Sequence, residues 1–264
     1  CLPRLKVISK WGTGIDSIDK PAAERLGVQV RNTPNAFTLP VSDSVLGYIL
    51  AFARRQPWMD QAVKAGIWEK LPGRSLSECT LGVIGMGNIG KAVLRRARPF
   101  GMRLLGADIQ PIAPDFLLEN NVQKVDLSTL MHEADFVSVN CDLNPTSFHL
   151  INSETLAWMK PTAILINTAR GPIVEEPALI TALQDKWIAG AALDDFEVAV
   201  SPERVLLIDV DEFLGHLVCV PCFGGAFVDA LEHGDDARVR LVRLRYVTRQ
   251  DFLRHCKATA REVT

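Results

Sequence analysis

The chain has 264 residues, 48% of them hydrophobic and 23% charged, with a formal net charge of -2. That length suits one large domain or two small ones, and the near balance of charge removes the usual reason to expect nucleic acid or an anionic membrane as partner. No apolar run approaches the ~20 residues of a membrane span, so no membrane partner is expected.

The cysteines Cys1, Cys79, Cys141, Cys219, Cys222 and Cys256 are scattered along the chain. That spacing argues against a disulfide framework and for a reducing, cytoplasmic setting. The chain opens on Cys-Leu-Pro-Arg-Leu-Lys-Val-Ile-Ser, without Met or a signal peptide. The abrupt start on a strand-like run leads to the expectation that the chain is a piece of a longer protein.

In chain order, residues 5–9 read as a buried strand, 18–26 as a helix stopped by Gly27, and 28–32 as a second strand. Asn32-Thr33-Pro34-Asn35 is turn chemistry. This opening, residues 1–38, is too short to be a whole domain. Val41, Val45, Ile49 and Phe52 recur at helical spacing and predict a helix over 41–55, ended by Pro57. A second helix is expected over 58–68, then a polar linker with Pro72 and Gly73.

From residue 80 strands and helices alternate. The expected strands are 81–85, 103–108, 121–125, 135–140, 163–168, 188–194 and 217–221; the expected helices are 89–99, 127–132, 153–159 and 176–185. Most of the strands are nearly continuous apolar runs, as required when helices cover both faces of a parallel sheet. The fold class is therefore α/β, a doubly wound parallel sheet over residues 39–225, preceded by an incomplete second unit. Residues 226–264 form a divergent, Arg-rich tail, of which 234–264 are expected to be a solvated terminal helix or a poorly ordered end; Val239, Val242 and Leu244 sit there among arginines without a clean period.

Gly85-Met86-Gly87-Asn88-Ile89-Gly90 follows a strand and opens a helix, the context that gives a G-x-G-x-x-G match its meaning. Gly85 permits the tight turn, Gly87 lets a pyrophosphate approach the backbone, and Gly90 lets the helix pack on the strand. Free amides and the helix dipole favour the phosphate there. Asp108 lies at the end of the second strand, where a carboxylate accepts the ribose hydroxyls of NAD and repels the 2′-phosphate of NADP. NAD is the cofactor expected.

Several segments together resemble the D-isomer-specific 2-hydroxyacid dehydrogenases, with the D-3-phosphoglycerate dehydrogenase branch nearest. They are LKVISKWGTGIDSID, NTPNAFT, WEKLPGRSL, LGVIGMGNIGKAV, DFVSVNCDLNPTSFHLIN, MKPTAILINTARGPIVEE and IAGAALDDFE, spread over residues 4–198. The resemblance implies a Rossmann NAD-binding domain inserted into a substrate domain, of which residues 1–38 are a remnant. It implies an oxidoreductase acting on the CH–OH group of a small 2-hydroxy or 2-keto acid, working as a homodimer. It makes Arg170 the catalytic arginine that holds the substrate carboxylate and polarises the keto group. It assigns Gly12, Thr13 and Gly14 to the substrate carboxylate, and Cys141, Asp142, Thr168, Ala169 and Asp194 to the cofactor, beside Gly85, Gly87, Asn88, Ile89, Gly90 and Asp108.

Two positions depart from the resembled pattern. Where the family has its catalytic Glu, this chain has Ala199. Where the family's last strand ends Pro-His, this chain has Pro221-Cys222. A thiol of ordinary pKa ~8.5 is a poor match for proton transfer near neutrality. A change of reading frame near residue 199 would account for both losses and for the Arg-rich tail. The alternative to an active dehydrogenase is an inactive NAD-binding module, or a scaffold that dimerises through the 41–55 helix. His216, Cys219 and Cys222 lie three residues apart on an expected strand and do not converge on a metal, so no metal site is expected. The sequence has no G-x-S-x-G elbow to support a hydrolase.

Overall fold

The computed structural model describes residues 5–15, 17–68 and 70–194, together with the backbone of three short strands at 217–219, 226–228 and 244–246. Glu197, Ala199, His216, Cys222 and His233 lie outside the described residues.

The chain opens with β1 (Val7–Lys10), α1 (Lys20–Arg25) and β2 (Gln29–Asn32). β1 and β2 pair in parallel, from Val7 opposite Gln29 to Lys10 opposite Asn32. The Asp19 side chain accepts from the Ala22 amide at 2.9 Å and Pro21 occupies the first turn, which fixes the start of α1 two residues later than expected.

Next come α2 (Thr38–Arg54) and α3 (Gln56–Lys64). α2 begins earlier than its apolar spacing suggested, because Pro40 falls in the first turn, where a missing amide hydrogen costs nothing. It ends at Arg55, a non-glycine residue held at φ 55°, and Pro57 then opens α3.

The main sheet contains β3 (Thr80–Ile84), β4 (Arg103–Ala107), β5 (Val122–Lys124), β6 (Phe136–Val139), β7 (Ile164–Asn167), β8 (Gly190–Leu193) and β9 (Leu217–Cys219). Their order is β5-β4-β3-β6-β7-β8-β9, and every neighbouring pair is parallel. Between them run α4 (Asn88–Ala97), α5 (Pro114–Asn120), α6 (Leu127–Glu133), α7 (Ser153–Ala157) and α8 (Glu176–Gln184). Helix α5 was not among the expected helices. It is two turns long, buries Phe116 and leaves Leu118 exposed, so it has no repeating apolar stripe to detect.

Both faces of the sheet are covered, and alternate residues of one strand enter different cores. Phe136, Ile164 and Ile166 pack with Val45, Ile49 and Phe52 of α2 and with Val93 and Leu94 of α4. Val137, Val139 and Leu165 pack with Leu130 and Met131 of α6, Leu156 of α7 and Leu179 of α8. Each fully buried Ile or Leu contributes ~1.5–3 kcal/mol of burial. This is the physical origin of the continuous apolar strands. Gly82 sits where a side chain would strike Leu130 and Ala134, so the second layer closes directly on the sheet.

At the opposite end of the sheet from the glycine loop, Asp135 is buried. Its carboxylate accepts from the Thr80 amide at 2.8 Å and pairs with Arg74 at 3.2 Å and Lys160 at 3.4 Å. Burial favours the neutral acid, but the Thr80 amide and the two cations outweigh it and hold the Asp135 carboxyl below its ordinary pKa.

Within the Arg-rich tail, β10 (Ala226–Val228) and β11 (Leu244–Tyr246) pair antiparallel. Leu244–Tyr246 is thus strand, where the composition suggested a terminal helix or loose end. A local run of β-branched and aromatic residues can satisfy its backbone across a pair as readily as along a helix.

Candidate functional site

The strand order reverses between β3 and β6, so the crevice at their carboxyl ends is the place where an open α/β sheet receives a ligand. Gly85 leaves β3 with φ +86°. A side chain on it would meet the Cys141 amide nitrogen at 2.6 Å and the Asn140 carbonyl carbon at 2.9 Å, so only glycine lets the β3 and β6 exits run this close. A side chain on Gly90 would overlap the Gly85 carbonyl oxygen. Gly87 differs: a Cβ there meets nothing within 4 Å, and its residue is the N-cap of α4 with no side-chain cap. The loop is therefore closed by two glycines and open at the third, in front of uncapped helix amides. Helix amides without a side-chain cap are the groups that anions meet at a helix start.

Asp108 directly follows β4. One carboxylate oxygen accepts from the Met86 amide at 2.6 Å, and the other accepts from the Gln110 amide at 2.7 Å. The predicted ribose acid is thus tied to the middle of the glycine loop. Each carboxylate oxygen can accept more than one hydrogen bond. Ile89 and Gly90 turn into α4, Ile89 packing against the core beneath the loop. Asn88 donates its side-chain amide to Asn35.

The exits of the neighbouring strands complete the crevice. After β6, Asn140 donates to the Ser138 hydroxyl at 2.9 Å, while its Oδ1 is buried and has no partner among the described residues. Cys141 is half-buried. Burial pushes its thiol pKa up to about 11; its own backbone opposes the shift, and the Asp142 and Asp108 carboxylates add to it. Asp142 is exposed, and its carbonyl accepts from Ser147 at 2.6 Å. After β7, the Thr168 hydroxyl is likewise buried without a partner among the described residues. Buried polar atoms are normally satisfied, so two such atoms past the carboxyl ends of neighbouring strands mark a surface suited to a polar ligand. Asp194 follows β8, its amide donating to the Asn167 carbonyl at 3.0 Å.

Arg170 is presented by the buried Asn167. The Asn167 side chain accepts from the Ala169 amide at 3.1 Å and donates to the Arg170 carbonyl at 2.9 Å. This side-chain turn brings the chain out of the sheet at Arg170, whose guanidinium also donates to the Ala169 carbonyl at 2.6 Å. In the small sheet, Gly12 takes φ +138°. Its amide donates to the Thr33 hydroxyl at 2.9 Å, and Asn32 donates to the Thr13 carbonyl at 2.7 Å. Gly14 follows Thr13 in the same loop. Met86, Asn140 and Asn167 were not singled out from sequence. The last two were visible as uncharged polar residues closing apolar strands.

Residues 46–215 match the family described as D-isomer specific 2-hydroxyacid dehydrogenase, NAD binding domain. The chain belongs to this family. A glyoxylate reductase of Thermofilum pendens is 39% identical over 234 residues, spanning 86% of this chain and 68% of the relative. A D-3-phosphoglycerate dehydrogenase of Synechocystis is 42% identical over 195 residues, spanning 73% of this chain and 35% of the relative. Among solved structures, the D-lactate dehydrogenase of Aquifex aeolicus complexed with NAD and lactic acid superimposes with a TM-score of 0.72 at 29% identity, over 83% of this chain and 69% of that one. The apo D-lactate dehydrogenase of Escherichia coli gives 0.70 at 32% identity, over 81% and 66%. The chain spans 64% and 61% of two further glyoxylate reductases it resembles. The fold and the NAD cofactor expected from sequence thus agree with the family to which the dehydrogenase domain belongs.

Proposed function

We propose that this chain acts in an NAD-dependent oxidoreductase that interconverts a small D-2-hydroxy acid and its 2-keto acid. The observation that carries the reading is the cradle at Gly87: open space before uncapped amides, with Asp108 hydrogen-bonded to the same loop. In this reading Gly85, Gly87, Asn88, Ile89 and Gly90 receive the pyrophosphate. Asp108 receives the adenosine ribose and disfavours a 2′-phosphate by charge repulsion. Cys141, Asp142, Thr168 and Ala169 line the nicotinamide side, with Asp194 near the carboxamide. Asn140, with its buried unpartnered oxygen, joins that lining.

Bound NAD(H) supplies the hydride acceptor or donor. Arg170 holds the substrate carboxylate as a two-pronged donor and polarises the keto oxygen. The Gly12, Thr13 and Gly14 backbone meets the other side of that carboxylate. Residues 39–225 serve as the cofactor domain, residues 1–38 as part of a substrate domain, and 226–264 as a separate tail. Leu39, Val63, Ile67 and Trp68 are exposed on or near α2 and α3, and they support pairing of two copies through this region. The relatives' functions and the scattered cysteines support a cytoplasmic setting.

Titration with NADH by fluorescence, followed by turnover with glyoxylate, hydroxypyruvate and pyruvate, tests the reading. Saturable binding with turnover of one keto acid supports it. Binding without turnover supports an inactive NAD-binding module, the reading favoured by Ala199 and Cys222 in the family's acid–base positions. Absence of NADH binding overturns both.

A further inference from the structure

Helices α2 and α4 run side by side in the same direction, and two polar contacts mark that alignment. Arg96 pairs with Asp43 at 2.8 Å, and Asn88 donates to Asn35; both contacts join residues 53 apart in sequence. Beside those contacts the buried residues Val45 and Ile49 of α2 share one core with Val93 and Leu94 of α4. The helix pair is therefore fixed by packing, and α2 cannot readily slide on α4. The short turn before α2, residues 33–37, links that helix to β2 of the small sheet, and its Phe37 ring meets Trp11 edge-on.

Asn35 stands in that turn at φ +66°, the left-handed region that Asn tolerates better than most residues. Its carbonyl accepts from the Thr38 amide at 3.1 Å at the start of α2. Its side-chain oxygen accepts from Asn88, the first residue of α4 after Gly87. Two residues earlier, Thr33 both accepts from and donates to Gly12, and Asn32 holds the Thr13 carbonyl. A route thus runs from the glycine loop to the Gly12–Gly14 loop: a hydrogen bond from Asn88 to Asn35, the backbone from Asn35 through Pro34 to Thr33, and the hydrogen bonds between Thr33 and Gly12.

We propose that Asn35 is a positioning residue that transmits occupancy of the glycine loop to the Gly12–Gly14 loop. A dinucleotide phosphate held by the Asn88 region restrains that residue's backbone and hence its side chain. The restrained Asn88 amide then holds Asn35, and the turn that carries Gly12 and Thr13 is held with it. Ordering of the second loop is thereby coupled to filling of the first, and linkage requires the reverse coupling to be equal. The proposal rests on the reading of the glycine loop as the NAD site.

Hydrogen exchange of the full chain with and without NADH tests it, using wild type, Asn35→Gly and Asn35→Asp. Gly keeps the left-handed backbone and removes the acceptor; Asp keeps the acceptor. In wild type, NADH is expected to slow exchange over residues 85–90 and also over 12–15 and 33, the latter by about fivefold or more. In Asn35→Gly the slowing at 85–90 remains and the slowing at 12–15 is lost, whereas Asn35→Asp regains it. A merely structural role would change exchange at 12–15 equally with and without NADH. Slowing at 12–15 that survives in Asn35→Gly, or that is absent in wild type while 85–90 responds, overturns the coupling. No slowing at 85–90 overturns the cofactor reading and the coupling with it.

Discussion

The Asp108 carboxylate accepts the Met86 amide at 2.6 Å, joining the end of β4 to the middle of the glycine loop across 22 residues of sequence. The acid that would discriminate the ribose is thereby also a brace for the loop that would hold the pyrophosphate. Asp108→Ala removes both contributions, and a charge-assisted hydrogen bond of this kind is worth ~1.5–3 kcal/mol. NADH affinity is expected to fall about tenfold or more. The ratio of NADPH to NADH affinity should rise, because the repelling charge is gone. Paired titrations with the two cofactors check this; an unchanged ratio would remove Asp108 from the ribose site.

Gly87 and Gly90 give a sharper contrast. A methyl group at Gly87 enters open space, so Gly87→Ala should keep the melting temperature within a few degrees and weaken NADH binding. At Gly90 the same methyl overlaps the Gly85 carbonyl. Overpacking of that sort costs ~1–3 kcal/mol, which lowers Tm by roughly 2–4 °C per kcal/mol in a domain of this size. Thermal melts alongside NADH titration separate the two effects. Equal destabilisation by both substitutions would argue that Gly87 is structural.

Asp135 controls acid stability. Its folded pKa lies below the ordinary value, held there by the Thr80 amide, Arg74 and Lys160 against the opposing effect of burial. Its contribution is therefore complete above the ordinary carboxylate pKa of ~3.9 and is lost as pH falls through the lower folded value. Asp135→Asn should lower stability at pH 7 by ~1–3 kcal/mol, a range set by the buried hydrogen bonds, since the partly exposed Arg74 and Lys160 are screened. The variant should also flatten the pH dependence below about pH 4. Denaturant melts from neutral to acid pH test the prediction, which fails if both proteins lose stability in parallel.

Arg170 and the two departures from the family pattern can be tested together. Arg170→Lys keeps the charge but loses the planar fork, so binding of a keto-acid analogue such as oxamate to the NADH-loaded protein should weaken about tenfold. NADH binding itself should not change. Introducing Ala199→Glu and Cys222→His restores an acid–base pair at the family's positions. Turnover of a 2-keto acid should then rise by about 100-fold or more, the usual scale of general acid–base catalysis. Oxamate titration of the NADH-loaded protein reads the first outcome and steady-state NADH oxidation the second, and no gain in the double variant would place the proton donor elsewhere.

The glycine loop and Asp108 were legible because each is bound to a local signal, a strand end with a turn or helix start within a few positions, whereas Arg170 was named only through the family resemblance. β3, β4, β6, β7 and β8 were legible too, since burial on both faces leaves an apolar run that needs no partner to be recognised. Helix α5 was not, because Phe116 is buried and Leu118 exposed within two turns. Asn140 escaped notice because its unpartnered oxygen exists only once β6 lies beside β3.

Periodicity and backbone conformation are properties of neighbouring residues, and the order of residues alone therefore decided which segments form the main sheet and where a glycine loop joins β3 to α4. Through-space pairing is a property of distant residues, and only the folded chain decided that Asp108 meets Met86, that Asn35 meets Asn88, and that Asp135 meets Arg74. Those contacts span 22, 53 and 61 positions. Their geometry is set by how α2, α4 and the strands pack, because a hydrogen bond forms only when packing brings donor and acceptor within about 3 Å.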